Sequence, residues 1–331
     1  MSRRILVIGG AGFIGGTIAR ALRRRGDEVV VLSRRGDAGV RADRTNDADL
    51  ARALAGESFD ATIDCAAYDG AGVEALGRTP SFSPGRYVTI STGQVCLVTT
   101  APSMPYREED AEHSLRPEPP PDTYEHRSWS YGVRKRAMEA AALRLAERDG
   151  WDVTILRLPV VLGAGDTSLR TWAWLERFLD GGPVLLPDGG ERPIRFVWAE
   201  DVARAAERLL ERRPPSRVYH LAQPDVVTLR TLLERIARLA GIEPRLVPVD
   251  RALLDTAGIG PEILPYTSRW VSVLDPSRAE REWGFRGTPL DDYLPLVVEA
   301  HLEHRPDAHD MGYHARPREI DLARRLESAA H

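Results

Sequence analysis

Lysine is almost missing from this chain. Of the 45 basic residues among 331, Lys135 is the single lysine and all the others are arginine. Wherever positive charge merely keeps the surface hydrated the chain uses guanidinium, so the one ammonium marks a place where a planar fork will not serve. Cysteine is nearly as scarce. The only two, Cys65 and Cys96, lie in or beside apolar runs, and with no secretory pattern at the start the expected compartment is a reducing cytoplasm. No run approaches the roughly eighteen apolar residues of a membrane span, so no membrane partner is expected. A formal net charge of -4 gives no general attraction to nucleic acid or anionic lipid. Internal repeats are absent as well. The length suits one mid-sized unit with a smaller one beside it.

What is present is concentrated at the start. Arg3 to Ile8 reads as a buried strand, followed directly by Gly9-Gly10-Ala11-Gly12-Phe13-Ile14-Gly15-Gly16. Ile14, Ile18, Ala21 and Leu22 then share a helix face until Gly26 stops it. Gly10, Gly12 and Gly15 satisfy G-x-G-x-x-G, and Gly9, Gly12 and Gly15 the related G-x-x-G-x-x-G. A strand, a glycine turn and a helix in that order bring a pyrophosphate to the N–H groups of the helix N-terminus, so a dinucleotide site is expected around Gly9, Gly12, Phe13, Ile14 and Gly15.

The second strand, Asp27 to Leu32, is followed by Ser33, Arg34 and Arg35. An acid about twenty residues beyond the glycines holds the ribose hydroxyl of NAD; a hydroxyl and two guanidiniums suit a 2'-phosphate instead, which favours NADP(H) and leaves NAD(H) open. Val40 to Asp43 is read as a third strand, Ala48 to Leu54 as a helix, and Phe59 to Tyr68 as a buried strand running into small residues. Arg86 to Ser91 is a fifth strand ending at Thr92 and Gly93. Pro102 to Pro121, rich in proline and charge, is read as a surface loop or lid. Ser130 to Arg148 is read as a helix carrying Tyr131 and, four residues on, the lone Lys135 on the same face.

These pieces together resemble the extended short-chain dehydrogenase/reductase superfamily, the NAD-dependent epimerase/dehydratase group. The matching segments are the glycine turn, the Asp43 segment, Asp64-Cys65-Ala66-Ala67, the strand end through Val95, Tyr131-Gly132-Val133-Arg134-Lys135, Leu156-Arg157-Leu158-Pro159, Phe196 to Ala203, and Asp275 to Phe285. The resemblance implies a Rossmann-type doubly wound parallel sheet (α/β) over residues 1–160 with 191–222 returning to it. A smaller substrate-binding domain would comprise 161–190 and 223–331. It also implies that Asp43, Arg44, Cys65, Ala66, Ala67 and Pro159 join Tyr131 and Lys135 around the cofactor, and that Thr92 hydrogen-bonds the reacting oxygen.

The residue types explain the chemistry. A phenol is a poor base near neutral pH, but an ammonium beside it favours the phenolate, so Tyr131 can exchange a proton with a carbonyl or carbinol oxygen while a nicotinamide exchanges hydride with its carbon. Three departures from the group shape the substrate. Val160 stands where nucleotide-sugar enzymes carry an asparagine, Ile194 where they carry an arginine, and Gly93-Gln94 where dehydratases carry an Asp-Glu pair. The expected activity is therefore reduction of a ketone or aldehyde on a small metabolite or natural-product intermediate, or the reverse. Epimerisation of a sugar derivative is the second reading, and a non-catalytic NADP sensor or RNA-binding relative the third. The histidines at 301, 304, 309 and 314 match no ligand spacing, and no metal is expected in what reads as a polar tail. Trp172 and Trp174 are read as packing. The interval from Ala67 to Ser91 leaves room only for a helical stub near Ala71 to Leu76, so a monomer or an unusual homodimer is expected.

Overall fold

The computed structural model describes residues 2–36, 39–101, 104–307, 309 and 312–329. Strand β1 (Arg4–Ile8) leads into helix α1 (Phe13–Arg24), and β2 (Glu28–Ser33), β3 (Gly39–Arg41), α2 (Asp47–Leu54), β4 (Ala61–Asp64), α3 (Gly70–Arg78) and β5 (Arg86–Thr92) follow. After the short α4 (Gln94–Leu97) come α5 (Tyr124–Arg148) and β6 (Asp152–Leu158). Seven parallel strands form one sheet in the order Val218–His220, β6, β5, β4, β1, β2, β3. This is the Rossmann-type architecture.

Alternation along β1 explains the two layers. Ile5 and Val7 face a core built with Ile18 and Leu22 of α1 and Val202 and Leu209 of the helix Ala199–Glu211. Leu6 and Ile8 face the opposite core, with Leu50 of α2, Leu76 of α3 and Met138 and Leu145 of α5. A strand buried on both sides must be apolar throughout, which is why β1 carries no alternating polar signal.

The chain divides into two compact units: residues up to Val161 with Val197–Gln223 and Leu274–Gly287, and the remainder. The sequence reading left 274–287 with the smaller part, whereas this segment packs in the first unit. Its Trp283 ring meets Tyr219 edge-on at 5.7 Å, and Trp283 and Phe285 enter the core beside Val202 and Leu209. Among the described residues, the second unit holds four helices of ten residues or more, at Arg170–Leu179, Leu229–Leu239, Leu290–Glu303 and Arg316–Ala329. Trp172 and Trp174 are buried there.

Several local readings are corrected. Helix α5 begins at Tyr124, well before Ser130, because the Thr123 hydroxyl caps it by accepting from the His126 N–H at 3.1 Å. The stretch read as a surface loop or lid is tied down where it is described. Tyr106, Glu108 and Ala111 are buried, Tyr106 bridges to Leu274, and Arg116 N–H donates to the Val98 carbonyl. Pro102 lies outside the described residues. The C-terminal region is no tail: His301 is buried in a helix, and Glu319 forms a fully buried ion pair with Arg177 at 2.8 Å. Asp310, which lies near the C-terminal histidines in the sequence, is outside the described residues.

The tied-down stretch also shapes an edge of the sheet. His220 is fully buried, its backbone N–H donates to Glu108 Oε1 at 2.9 Å, and its Nδ1 lies 3.1 Å from the Tyr106 carbonyl. Burial first, and then the nearby Arg157, hold its pKa well below the ordinary imidazole value. A folded-state pKa that is depressed means the unfolded chain takes up the proton first, so stability is full above about pH 6.5 and is lost as the pH falls below it. Urea midpoints are expected to drop between about pH 7.5 and about pH 5.5, and the His220→Gln variant to lose much of that slope. Equal slopes in the two proteins would rule out this contribution.

Candidate active site

The glycine turn has the shape a pyrophosphate requires. Gly9 sits at φ +79° and its N–H donates to the Leu32 carbonyl at 2.9 Å, closing the turn against β2. A Cβ on Gly15 would fall 2.3 Å from the Gly9 carbonyl oxygen, so helix and strand approach this closely only with glycine there. On Gly12 a Cβ would meet only that same oxygen, at 3.3 Å, and the residue is exposed. No side chain caps the N-terminus of α1 at Gly12. The first-turn amides of Phe13, Ile14 and Gly15, with the helix dipole behind them, are thus suited to an anion, and these residues fit a dinucleotide phosphate.

Beyond β2, the Ser33 hydroxyl accepts from the Gly36 N–H at 3.0 Å, while Arg34 and Arg35 are exposed. The Asp43 carboxylate accepts from the hydroxyl and the N–H of Thr45 at 2.7 and 2.9 Å, which holds its pKa below the usual carboxylate value. Arg44 turns inward and pairs with Asp64 at the end of β4. Asp64, fully buried, also accepts from the Tyr87 hydroxyl at 2.8 Å and from the Ala66 N–H at 3.0 Å. Burial, with the Asp64 charge beside it, pushes the Cys65 thiol up and keeps it neutral. A Cβ on Gly9 would lie 3.0 Å from that of Ala66, which is why small residues follow β4.

At the ends of β5 and β6 the remaining groups assemble. Lys135 is 5% exposed. Its Nζ donates to the Ala67 carbonyl at 2.7 Å and to the Ile90 carbonyl at 2.8 Å, and lies 5.6 Å from the ring centre of the exposed Tyr68. Burial lowers its pKa to about 8, against the opposing pull of Asp64 and Glu139. Tyr131 stands half-buried one helical turn earlier on the same face. Thr92 is the last residue of β5, with its hydroxyl accepting the Gln94 N–H at 3.2 Å, and Pro159 directly follows β6. Between tyrosine and lysine, Gly132 lets α5 lie against α4, since a Cβ there would fall 2.8 Å from the Gln94 carbonyl.

Several supporting residues escaped the sequence reading. Glu139, one further turn beyond Lys135, is buried and forms a paired ion bridge with Arg157 of β6, the Nη2 contact being 2.7 Å. It also accepts from the Ser91 hydroxyl. A four-residue ladder of Tyr131, Lys135 and Glu139, together with an arginine inside an apolar strand, was the available signal: a charge in a buried strand needs a partner. Asp64 gave the same signal in β4.

The profile of the NAD dependent epimerase/dehydratase family matches residues 5–82 and 81–222. The chain belongs to this family. Among its relatives, the 2'-dehydrokanamycin reductase of Streptomyces kanamyceticus is 32% identical over 84% of this chain and 78% of its own length. The dTDP-4-dehydro-6-deoxy-D-allose reductase of a Streptomyces species is 26% identical over 75% of this chain and 89% of its own. Among solved structures, the UDP-glucose 4-epimerase of Thermotoga maritima, with UDP-glucose, superposes with a TM-score of 0.71 at 20% identity, covering 91% of this chain and 99% of that one.

The family assignment makes the protein an NAD(P)-dependent enzyme of the extended short-chain dehydrogenase/reductase type. Against that background the substituted positions acquire structure. The Gln94 amide donates to the Ser128 hydroxyl at 2.8 Å and carbonyl at 3.2 Å. Ile194 is buried and paired with Val227, and Arg195 donates to the Pro224 carbonyl at 2.6 Å.

Proposed function

We propose that this enzyme is an NADPH-dependent reductase of a ketone on a sugar-like natural-product intermediate, running as an alcohol dehydrogenase in reverse. The observation that supports this reading is that Tyr131 precedes the buried Lys135 by one turn of α5, while Gly93 and Gln94, which follow Thr92, carry neither an acid nor a base. Beyond Thr92 the next polar side chain is the neutral amide of Gln94, already engaged with Ser128. Elimination of water needs an additional acid and base there; a simple carbonyl reduction does not. Similarity to the two reductases named above supports the same class.

When bound, the nicotinamide supplies the hydride to the carbonyl carbon. Tyr131 gives its hydroxyl proton to the carbonyl oxygen as the C=O π pair moves onto that oxygen. The Lys135 ammonium favours the phenolate left behind, and the Thr92 hydroxyl hydrogen-bonds the oxygen so that proton transfer begins aligned. Val160 offers no polar anchor to a nucleotide sugar at the position where nucleotide-sugar enzymes carry an asparagine. The direct test is NADPH oxidation with a panel of keto-glycosides alongside UDP- and dTDP-sugars. Efficient epimerisation or dehydration of a nucleotide sugar would overturn the reading.

Cofactor preference follows from Arg34 and Arg35. Their exposed guanidiniums beyond β2 suit a 2'-phosphate, and fluorescence titration is expected to give NADPH the tighter binding. Replacing both by alanine is expected to erase most of that preference while leaving NADH affinity nearly unchanged. Tighter binding of NADH by the unaltered protein would refute it.

Assembly is a further consequence. Helix α3 has only 9 residues, beside the 25 of α5. Its Glu74 is engaged with Arg144 and Arg148 of α5. A four-helix dimer built from two long helices per subunit would lack half its length, so light scattering is expected to show a monomer or a dimer joined elsewhere. A crystal structure with a four-helix interface through α3 and α5 would contradict this.

A further inference from the structure

The buried ions beneath the lysine form a connected chain. Asp64 is fully buried at the end of β4, where an apolar strand would ordinarily end in an apolar residue. Its carboxylate takes three kinds of donor at once: the Arg44 guanidinium, the Tyr87 hydroxyl and the Ala66 backbone N–H. The last of these bends the backbone immediately before Ala67. The Ala67 carbonyl in turn receives Lys135 at 2.7 Å.

We propose that Asp64 is the positioning residue of Lys135: clamped by Arg44 and Tyr87, it fixes the turn whose carbonyl receives the ammonium and supplies a buried negative charge that keeps that ammonium protonated. A buried lysine without such a counter-charge neutralises readily. The other groups around it do less. Glu139 on α5 acts in the same direction but more weakly and is drawn into its paired bridge with Arg157, the Cys65 thiol is pushed up by burial, Tyr68 presents its ring, and Arg44 is itself a cation. Arg44 thus serves the lysine indirectly, by holding the carboxylate in place.

This inference rests on reading Lys135 as the partner of Tyr131, but its test reads the ammonium directly. Because the chain contains one lysine, growth on ε-13C lysine yields a single side-chain resonance whose pH titration needs neither substrate nor turnover. In the unaltered protein the midpoint is expected near 8. In Asp64→Asn, whose amide oxygen can still accept from Ala66, it is expected to fall by about one unit or more. That variant leaves Arg44 buried without its partner and so is prone to misfolding. The Asp64→Asn/Arg44→Met variant removes both ions; because Asp64 acts on the ammonium more strongly than Arg44 does, the midpoint is expected to fall there too, by less. An unchanged midpoint in either folded variant overturns the proposal. Where a carbonyl substrate is turned over, the alkaline limb of activity is expected to move down with the resonance. A shifted resonance with an unmoved activity profile would instead refute the catalytic role of Lys135 and leave its positioning by Asp64 standing.

Discussion

Tyr131→Phe is expected to bind the nicotinamide cofactor as the unaltered enzyme does and to lose about a hundred- to ten-thousand-fold in turnover, the usual worth of a positioned proton carrier. The substitution removes one oxygen from a half-buried side chain on α5 and leaves the glycine turn untouched. Lys135→Arg is expected to damage both properties. The pocket between the Ala67 and Ile90 carbonyls admits a compact ammonium with donors at 2.7 and 2.8 Å, and a planar guanidinium is longer and wider. Steady-state kinetics with a keto-sugar, paired with fluorescence titration of NADPH, separates the two effects. Full activity in Tyr131→Phe would remove the tyrosine from the reaction.

The largest loss of stability is expected from Glu139→Gln. The carboxylate and Arg157 are both buried and joined through three hydrogen bonds, and the guanidinium also donates to the Glu108 carbonyl at 2.6 Å. Removing one ion leaves the other uncompensated in a low-dielectric setting, at a cost of about 3–5 kcal/mol. The double replacement Glu139→Leu/Arg157→Met is expected to recover much of this, since a buried pair is often no better than apolar side chains of similar size. Urea unfolding of the three proteins measures the cycle. A Glu139→Gln variant as stable as the parent would show that the pair is solvated in solution.

The residues proposed for the cofactor side of the site can be named from the sequence because their spacing is local. Gly9 to Gly15 act within one turn, Tyr131 and Lys135 within one helical step, and Cys65 to Ala67 directly after a strand. The partners of the supporting groups are not legible, because each contact joins residues on different elements: Arg44 with Asp64, Glu139 with Arg157, and the His220 backbone N–H with Glu108 more than a hundred residues earlier. The stretch after Pro102 misled for the same reason. Proline and charge are surface signals locally, yet Glu108 is buried because the edge strand Val218–His220 offers it a backbone donor. The Thr123 cap was hidden by the prolines just before it, which place the helix start later than the backbone does. Trp283 and Phe285 were followed along the chain into the smaller unit, when their partner in space was Tyr219.

The seclusion of Lys135 also determines how the protein meets reagents that seek side-chain amines. An acylating agent finds arginine over the whole surface and one ε-amine, 5% exposed and held by two carbonyls. Acylation of side-chain amines is therefore limited to one event per chain, and its rate is set by how often the ammonium is released rather than by how reactive the agent is. Timed acylation followed by intact-mass measurement would then act as a clock for opening of this pocket, one that a tightly bound dinucleotide would slow.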